Sequence, residues 1–329
     1  MSFGNTRNRT IFLIVAIAFA AVIGGLLGWT TNYRISQKEL SIEGSSTVYK
    51  IVSNSTKEFL KTHPNIQIVI TSTSSSAGIV SLTQGLVDIA MLSRAVDVGE
   101  NQSSGGVLKS FALAKDVLAV VVNSMAASFS LSIDIIRAVF NGTITEWTHP
   151  LVSASGLTGD IQVVVREPGS GTRDFFNEFI MGDITQQMPG SVYITSAIEK
   201  SSSQLMYEDI ALNLNYIGYL GLGFLDSSIK AIKIDGIEPS YKTIMNRTYP
   251  IQRNLYFVTK GIPAQGSIIR EFINWSLSPI GQQIVEENGF VPIIQTTINN
   301  FLKKIVIYNQ IWIRHSKPYL LISYFIFNI

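Results

Sequence analysis

Residues Arg166-Glu167-Pro168-Gly169-Ser170-Gly171-Thr172-Arg173 gather two guanidinium groups, two small hydroxyls and two glycines behind an apolar run ending at Val165. A Pro-Gly turn separates that run from the amphipathic stretch 173–181. The order predicts a strand, a tight turn and a helix start. Unpaired backbone N–H groups at a helix N-terminus, hydroxyls beside them and an adjacent Arg are the groups an oxyanion needs when it leaves water. A small tetrahedral anion is the ligand this chemistry points to.

Two more loops repeat the design. Gly44-Ser45-Ser46-Thr47 precedes the helical pattern Val48–Lys61, and Thr71–Gly78 precedes a short helical stretch. Ser and Thr are common helix caps, so each loop alone reads as a cap. Three of them, with Arg166 beside the third, read as a donor set. Hydrogen bonds to a charged group contribute roughly 1.5–3 kcal/mol each. Micromolar affinity needs about 8 kcal/mol. A handful of neutral donors therefore suffices, without a stack of cations to slow release.

Strands alternating with helices must position these loops. Leu40–Ile42, Ile66–Thr71, Val87–Leu92, Val117–Val122, Ile161–Val165 and Ile217–Tyr219 read as strands, and Val48–Lys61, Gly78–Gln84 and Ser130–Phe140 as helices. That alternation predicts open α/β sheets with parallel strands, whose ligands sit at strand carboxyl ends.

Together these segments resemble the phosphate-binding receptors of ABC importers, the PstS-type members of the type II periplasmic binding proteins. Gly44–Tyr49 is similar to their first phosphate loop. Ser74–Ile79, with Gly85–Ala90 and Ser93-Arg94, is similar to the second, and Arg166–Arg173 to the third. Ile217–Tyr219, Ile234–Gly236, Tyr249–Arg253 and Ser278–Gln282 follow in family order, so the likeness spans about residues 40–294.

The resemblance implies a two-lobed clamshell with two crossover strands, Val117–Val122 and Pro250–Val258. Lobe 1 would comprise 40–116 and 254–297, and lobe 2 would comprise 117–253. It implies phosphate ligation by Ser46, Thr47, Val48, Ser75, Ser93, Arg94, Arg166, Ser170, Gly171 and Thr172. It further implies a monomer without cofactor that delivers inorganic phosphate to importer membrane subunits. Many members place an Asp after the second lobe-1 motif, where it accepts the proton of hydrogen phosphate and rejects sulfate. Here Ser93 and Arg94 hold that place, and Glu167 and Asp88 read as an orienter of Arg166 and a strand-end cap.

The chain has 329 residues, enough for two modest domains, with only 15% charged residues and mean hydropathy +0.28. Residues 11–29 are uncharged and mostly apolar, about 28 Å as a helix, and Arg7 and Arg9 precede them. Residues 1–10 are then cytoplasmic, 11–29 an uncleaved anchor in the cell membrane, 30–39 a linker, and the body lies outside the cytoplasm. A cleaved signal segment is the alternative. The absence of Cys excludes disulfides, a lipoprotein anchor and thiolate metal sites. Residues 298–329 form a basic-aromatic tail, either an interfacial segment or a non-native extension. Without Lys303, Lys304, Arg314 and Lys317 the body carries 21 basic against 23 acidic residues, and no nucleic-acid footprint.

Other classes fit less well. The chain has no G-x-S-x-G elbow around Ser170, no P-loop, and no metal-ligand spacing among His63, His149 and His315. A phosphate-handling hydrolase would need a general base beside Ser170, and none accompanies it. A receptor for sulfate, molybdate or tungstate is the nearer alternative.

Overall fold

The computed structural model describes residues 38–182 and 192–293. The anchor at 11–29, most of the linker and the tail at 298–329 lie outside the described residues. Among the described residues no helix is long and apolar enough to cross a membrane.

The first half opens with β1 (Lys38–Ser45), α1 (Ser46–Thr62), β2 (Ile66–Thr73), α2 (Ser75–Thr83), β3 (Ile89–Leu92) and α3 (Val98–Ser103). Strand β4 (Leu108–Asn123) then runs 16 residues. β5 (Ser130–Leu131), α4 (Ile133–Phe140), β6 (Gln162–Arg166), α5 (Gly171–Phe176), β7 (Ile198–Lys200), α6 (Ser203–Leu212) and β8 (Tyr216–Gly221) follow. The chain closes with β9 (Ile229–Ala231), β10 (Lys233–Ile234), α7 (Tyr241–Met245), β11 (Gln252–Lys260), α8 (Ile268–Ser276), α9 (Pro279–Glu287) and β12 (Val291–Pro292).

Strand order along the main path is β2-β1-β3-β11-β4-β8-β6-β7. The outer strands pair in parallel: β1 with β2 and β3, and β6 with β7 and β8. The centre does not. Strand β11 is antiparallel to β3 and β4, and β4 is antiparallel to β8. An all-parallel reading fails here because a chain that leaves one lobe on β4 and returns on β11 lays the two strands head to tail.

Strand β4 changes partner midway. Residues up to Val117 pair with β11, while Leu118–Val122 pair with β8. Hydrophobic clustering divides at the same place. On the β1–β3 side one cluster takes Leu40, Ile42, Phe59, Leu113 and Phe257 and a smaller one Ile79, Leu82, Leu92 and Val258; a third, on the other side, takes Leu118–Val122, Phe140, Trp147, Phe176 and Tyr219. Each lobe buries its own apolar side chains, at about 1.5–3 kcal/mol per large residue, so the lobes are joined by two strands rather than a shared core. The continuous Val117–Val122 run is apolar at every position because both faces of that strand are covered.

Candidate functional site

Four helices begin at the junction of the lobes, and each begins the same way. Ser45, Ser74, Ser170 and Ser202 are the N-caps of α1, α2, α5 and α6. Their hydroxyls accept from Thr47 N, Ala77 N, Arg173 N and Leu205 N at 3.3, 3.1, 3.4 and 3.1 Å. Each capping hydroxyl accepts from its own helix and keeps its O–H to donate. The following one or two residues, at the helix start, then face the interlobe junction.

There the side chains meet across the lobes. Thr47 Oγ1 lies 3.0 Å from Thr172 Oγ1 and 3.1 Å from Ser203 Oγ. Ser93 Oγ is 3.3 Å from Thr172 Oγ1 and 3.4 Å from Ser75 Oγ. Ser93 N donates to Ser75 Oγ at 3.2 Å, and Ser203 N to Ser46 Oγ at 3.1 Å. Thr47, Ser75, Ser93, Thr172 and Ser203 are each at most 1% exposed. The approach requires glycine at 171: a Cβ there would stand 2.3 Å from Ser75 Oγ. Gly169, at φ +82°, turns its carbonyl to accept from Ser76 N at 3.1 Å.

Two buried guanidinium groups flank the hydroxyls. Arg166 is 2% exposed, and its Nη1 donates to Ser203 Oγ at 2.7 Å. Glu167 accepts from Arg166 Nε and Nη2, each at 2.8 Å, which fixes the plane of the fork. Tyr219 Oη accepts from Arg166 N at 3.0 Å; burial pushes that phenol up to about 12, so it stays neutral. The second group is Arg253 on β11, whose Nη1 donates to Thr172 Oγ1 at 3.1 Å. Its Nε and Nη2 donate to Asp116 Oδ2 at 2.9 and 2.8 Å, and Asp116 Oδ1 accepts from Leu222 N at 2.9 Å. Burial pushes the Asp116 carboxyl up and the Arg253 guanidinium down, while their mutual attraction opposes both shifts.

Of the residues expected from sequence, Ser46, Thr47, Ser75, Ser93, Arg166, Ser170, Gly171 and Thr172 come together at this junction, and Val48 is buried on the first turn of α1. Arg94 is placed differently. Its Nε donates to Asp174 Oδ2 at 2.8 Å, Nη1 to Ala95 O and Glu100 Oε2, and Nη2 to Ser76 Oγ and Glu100 Oε1. An Arg has five N–H groups, so all are engaged within the protein. Burial pulls its pKa down, yet Glu100 and Asp174 outweigh that and raise it. Asp88 accepts from Ser41 N and Oγ at 2.9 and 2.8 Å, tying the start of β3 to β1.

Two site residues escaped the sequence reading. Ser203 carried a signal, since Ser202-Ser203 repeats the doublet seen at Ser45-Ser46 and Ser74-Ser75. Arg253 carried little, because its partner Asp116 lies 137 positions away. Among the described residues, no cluster of His, Cys, Asp and Glu is arranged to hold a metal ion.

Similar proteins share this architecture. The phosphate-binding protein PstS of Pseudomonas aeruginosa is 27% identical over 291 residues, covering 81% of this chain and 86% of the relative. PstS of Bacillus subtilis is 29% identical, covering 87% and 95%. A Clostridium perfringens protein assigned as a phosphate ABC transporter substrate-binding protein, solved with bound phosphate, superposes with TM-score 0.70. It is 28% identical, and the match covers 78% of this chain and all of that one. The model of the PBP superfamily domain matches residues 31–279, and the chain belongs to the PBP superfamily.

Proposed function

We propose that this chain is an extracytoplasmic receptor that binds inorganic phosphate between its lobes and delivers it to an ABC importer. One observation carries the reading: hydroxyls 125 residues apart in the chain, Thr47 and Thr172, meet at 3.0 Å between lobes, ringed by donors and two buried guanidinium groups. In the ligated form, phosphate oxygens replace hydroxyl–hydroxyl contacts with charge-assisted ones. We assign ligation to Ser46, Thr47, Ser75, Ser93, Arg166, Ser170, Thr172 and Ser203 through side chains, and to the backbone N–H groups of Val48 and Gly171. Arg94 is assigned to holding the lobes together instead. The relatives named for phosphate binding support the anion's identity.

The lobes are assigned as 40–116 with 254–297, and 117–253, with closure around β4 and β11. Only the closed form brings donors of both lobes to one anion, so ligand favours it. Residues 11–29 are proposed as the membrane anchor, with the body outside the cytoplasm. We assign it as a monomer that binds and releases the anion unchanged, in keeping with relatives named as binding proteins. Titration calorimetry of the soluble body with phosphate, sulfate, tungstate and molybdate tests this. The expected result is micromolar or tighter phosphate binding. Tight oxometallate binding with no phosphate heat overturns it.

A further inference from the structure

We propose that Arg253, held by Asp116, is a positioning residue: by filling an acceptor lone pair of Thr172 Oγ1 it commits that hydroxyl's proton to the bound anion. The inference rests on the receptor reading above and concerns how the site selects hydroxyl orientation.

A hydroxyl both donates and accepts, so a ring of hydroxyls alone leaves the proton direction undefined. Thr172 Oγ1 has Thr47 Oγ1 at 3.0 Å and Ser93 Oγ at 3.3 Å, and either neighbour could donate or accept. Arg253 Nη1, at 3.1 Å, is donor-only and fills one of the two lone pairs, which leaves the O–H and a single lone pair on the side of Thr47 and Ser93. With that lone pair filled, the Thr172 O–H points away from Arg253, into the space shared with Thr47 and Ser93. An anion's oxygen there accepts that proton, and the remaining lone pair accepts from Thr47 or Ser93.

Arg253 does this by orientation, not by added attraction. Asp116 Oδ2 takes both its Nε and Nη2, so the pair is neutral as a unit, and both side chains are at most 1% exposed. Burying such a pair is costly, and apolar residues would serve stability as well or better. Here the pair also pins Leu222 N across the point where β4 changes partner. The fork geometry is specific to Arg: one ammonium cannot satisfy Asp116 and reach Thr172 together.

The test is a four-cornered cycle read by phosphate titration: wild type, the charge-neutral pair Asp116→Asn/Arg253→Met, Thr172→Ala, and all three changes combined. Asp116→Asn retains a side-chain oxygen for Leu222 N, so neither lobe is left with an orphaned charge. The expected loss from the pair substitution is 10- to 50-fold with Thr172 present and under threefold with Thr172→Ala, because coupled groups are non-additive. Equal losses in both backgrounds overturn the positioning role and leave the receptor reading intact. Absence of phosphate binding by the wild type overturns both. If the pair variant does not fold, Arg253→Lys takes its place. It is then expected to lose at least fivefold with Thr172 present and to show no loss with Thr172→Ala, and equal losses again overturn the role.

Discussion

At the scale of single residues, the site depends on what is absent as much as on what is present. Gly171 opens α5 with Ser75 Oγ and Ser93 Oγ in the space a Cβ would take, at 2.3 and 2.9 Å. Both hydroxyls belong to the other lobe, so the clash falls on the approach of the lobes and not within either core. Gly171→Ala is therefore expected to prop the cleft open. Phosphate affinity should fall at least tenfold, since only the closed form uses donors of both lobes. Thermal stability without ligand should shift by no more than about 2 °C, in keeping with a change that leaves both hydrophobic cores intact. Calorimetry paired with a melting curve checks this; a large drop in melting temperature with unchanged affinity would place the strain inside the lobe.

At the scale of elements, the recurring unit is a strand, a capping Ser and a second hydroxyl on the first helical turn. The two hydroxyls of a doublet have separable tasks, and α6 shows the separation. Ser202 accepts from Leu205 N as a cap, whereas Ser203 Oγ meets Arg166 Nη1 and Thr47 Oγ1. Ser202→Ala should lower stability to urea by about 1 kcal/mol with a small effect on affinity. Ser203→Ala should do the reverse, weakening phosphate by roughly 10- to 100-fold through loss of one bond to a charged group. Equal behaviour of the two variants would contradict the division. This unit is also what made the site legible from sequence. Gly44–Thr47, Ser74–Ala77 and Pro168–Thr172 keep strand, cap and helix within one short window, so local pattern suffices. Strand β4 was legible only at its apolar end, Val117–Val122. Its first half, from Leu108, is partly exposed without a period-two pattern and carries Lys109, Lys115 and Asp116. Its identity as a strand rests on pairing with β11, from Gln252 to Lys260, a contact no local window contains. The same distance hid Arg253.

For the whole molecule, the question is what holds two independently cored lobes shut. Backbone contact from Ser76 N to Gly169 O, the Lys50 Nζ bond to Gly223 O, and the Arg94–Asp174 pair all cross between lobes. Asp174 lies on α5, whose first two residues are Gly171 and Thr172, so the latch and the site share one rigid element. Glu100 holds Arg94 from its own side at 2.6 Å, which presets the guanidinium toward the other lobe and lowers the entropy cost of closing. Asp174 is 39% exposed in its side chain, so solvent screens the pair, and its worth is taken at about 0.5–1 kcal/mol. Its carboxyl sits above its ordinary range because burial outweighs the pull of Arg94, in line with a modest rather than a strong lock. A latch that exists only in the closed form slows opening but not encounter, so its loss belongs in the release rate. Asp174→Asn keeps the side-chain shape and removes the charge. Stopped-flow measurement of phosphate release should show about a two- to fivefold faster rate, the equivalent of that energy, with association unchanged. An unaltered release rate, or a loss confined to association, would mean that the hydroxyl ring and its anion hold the lobes without help from Arg94.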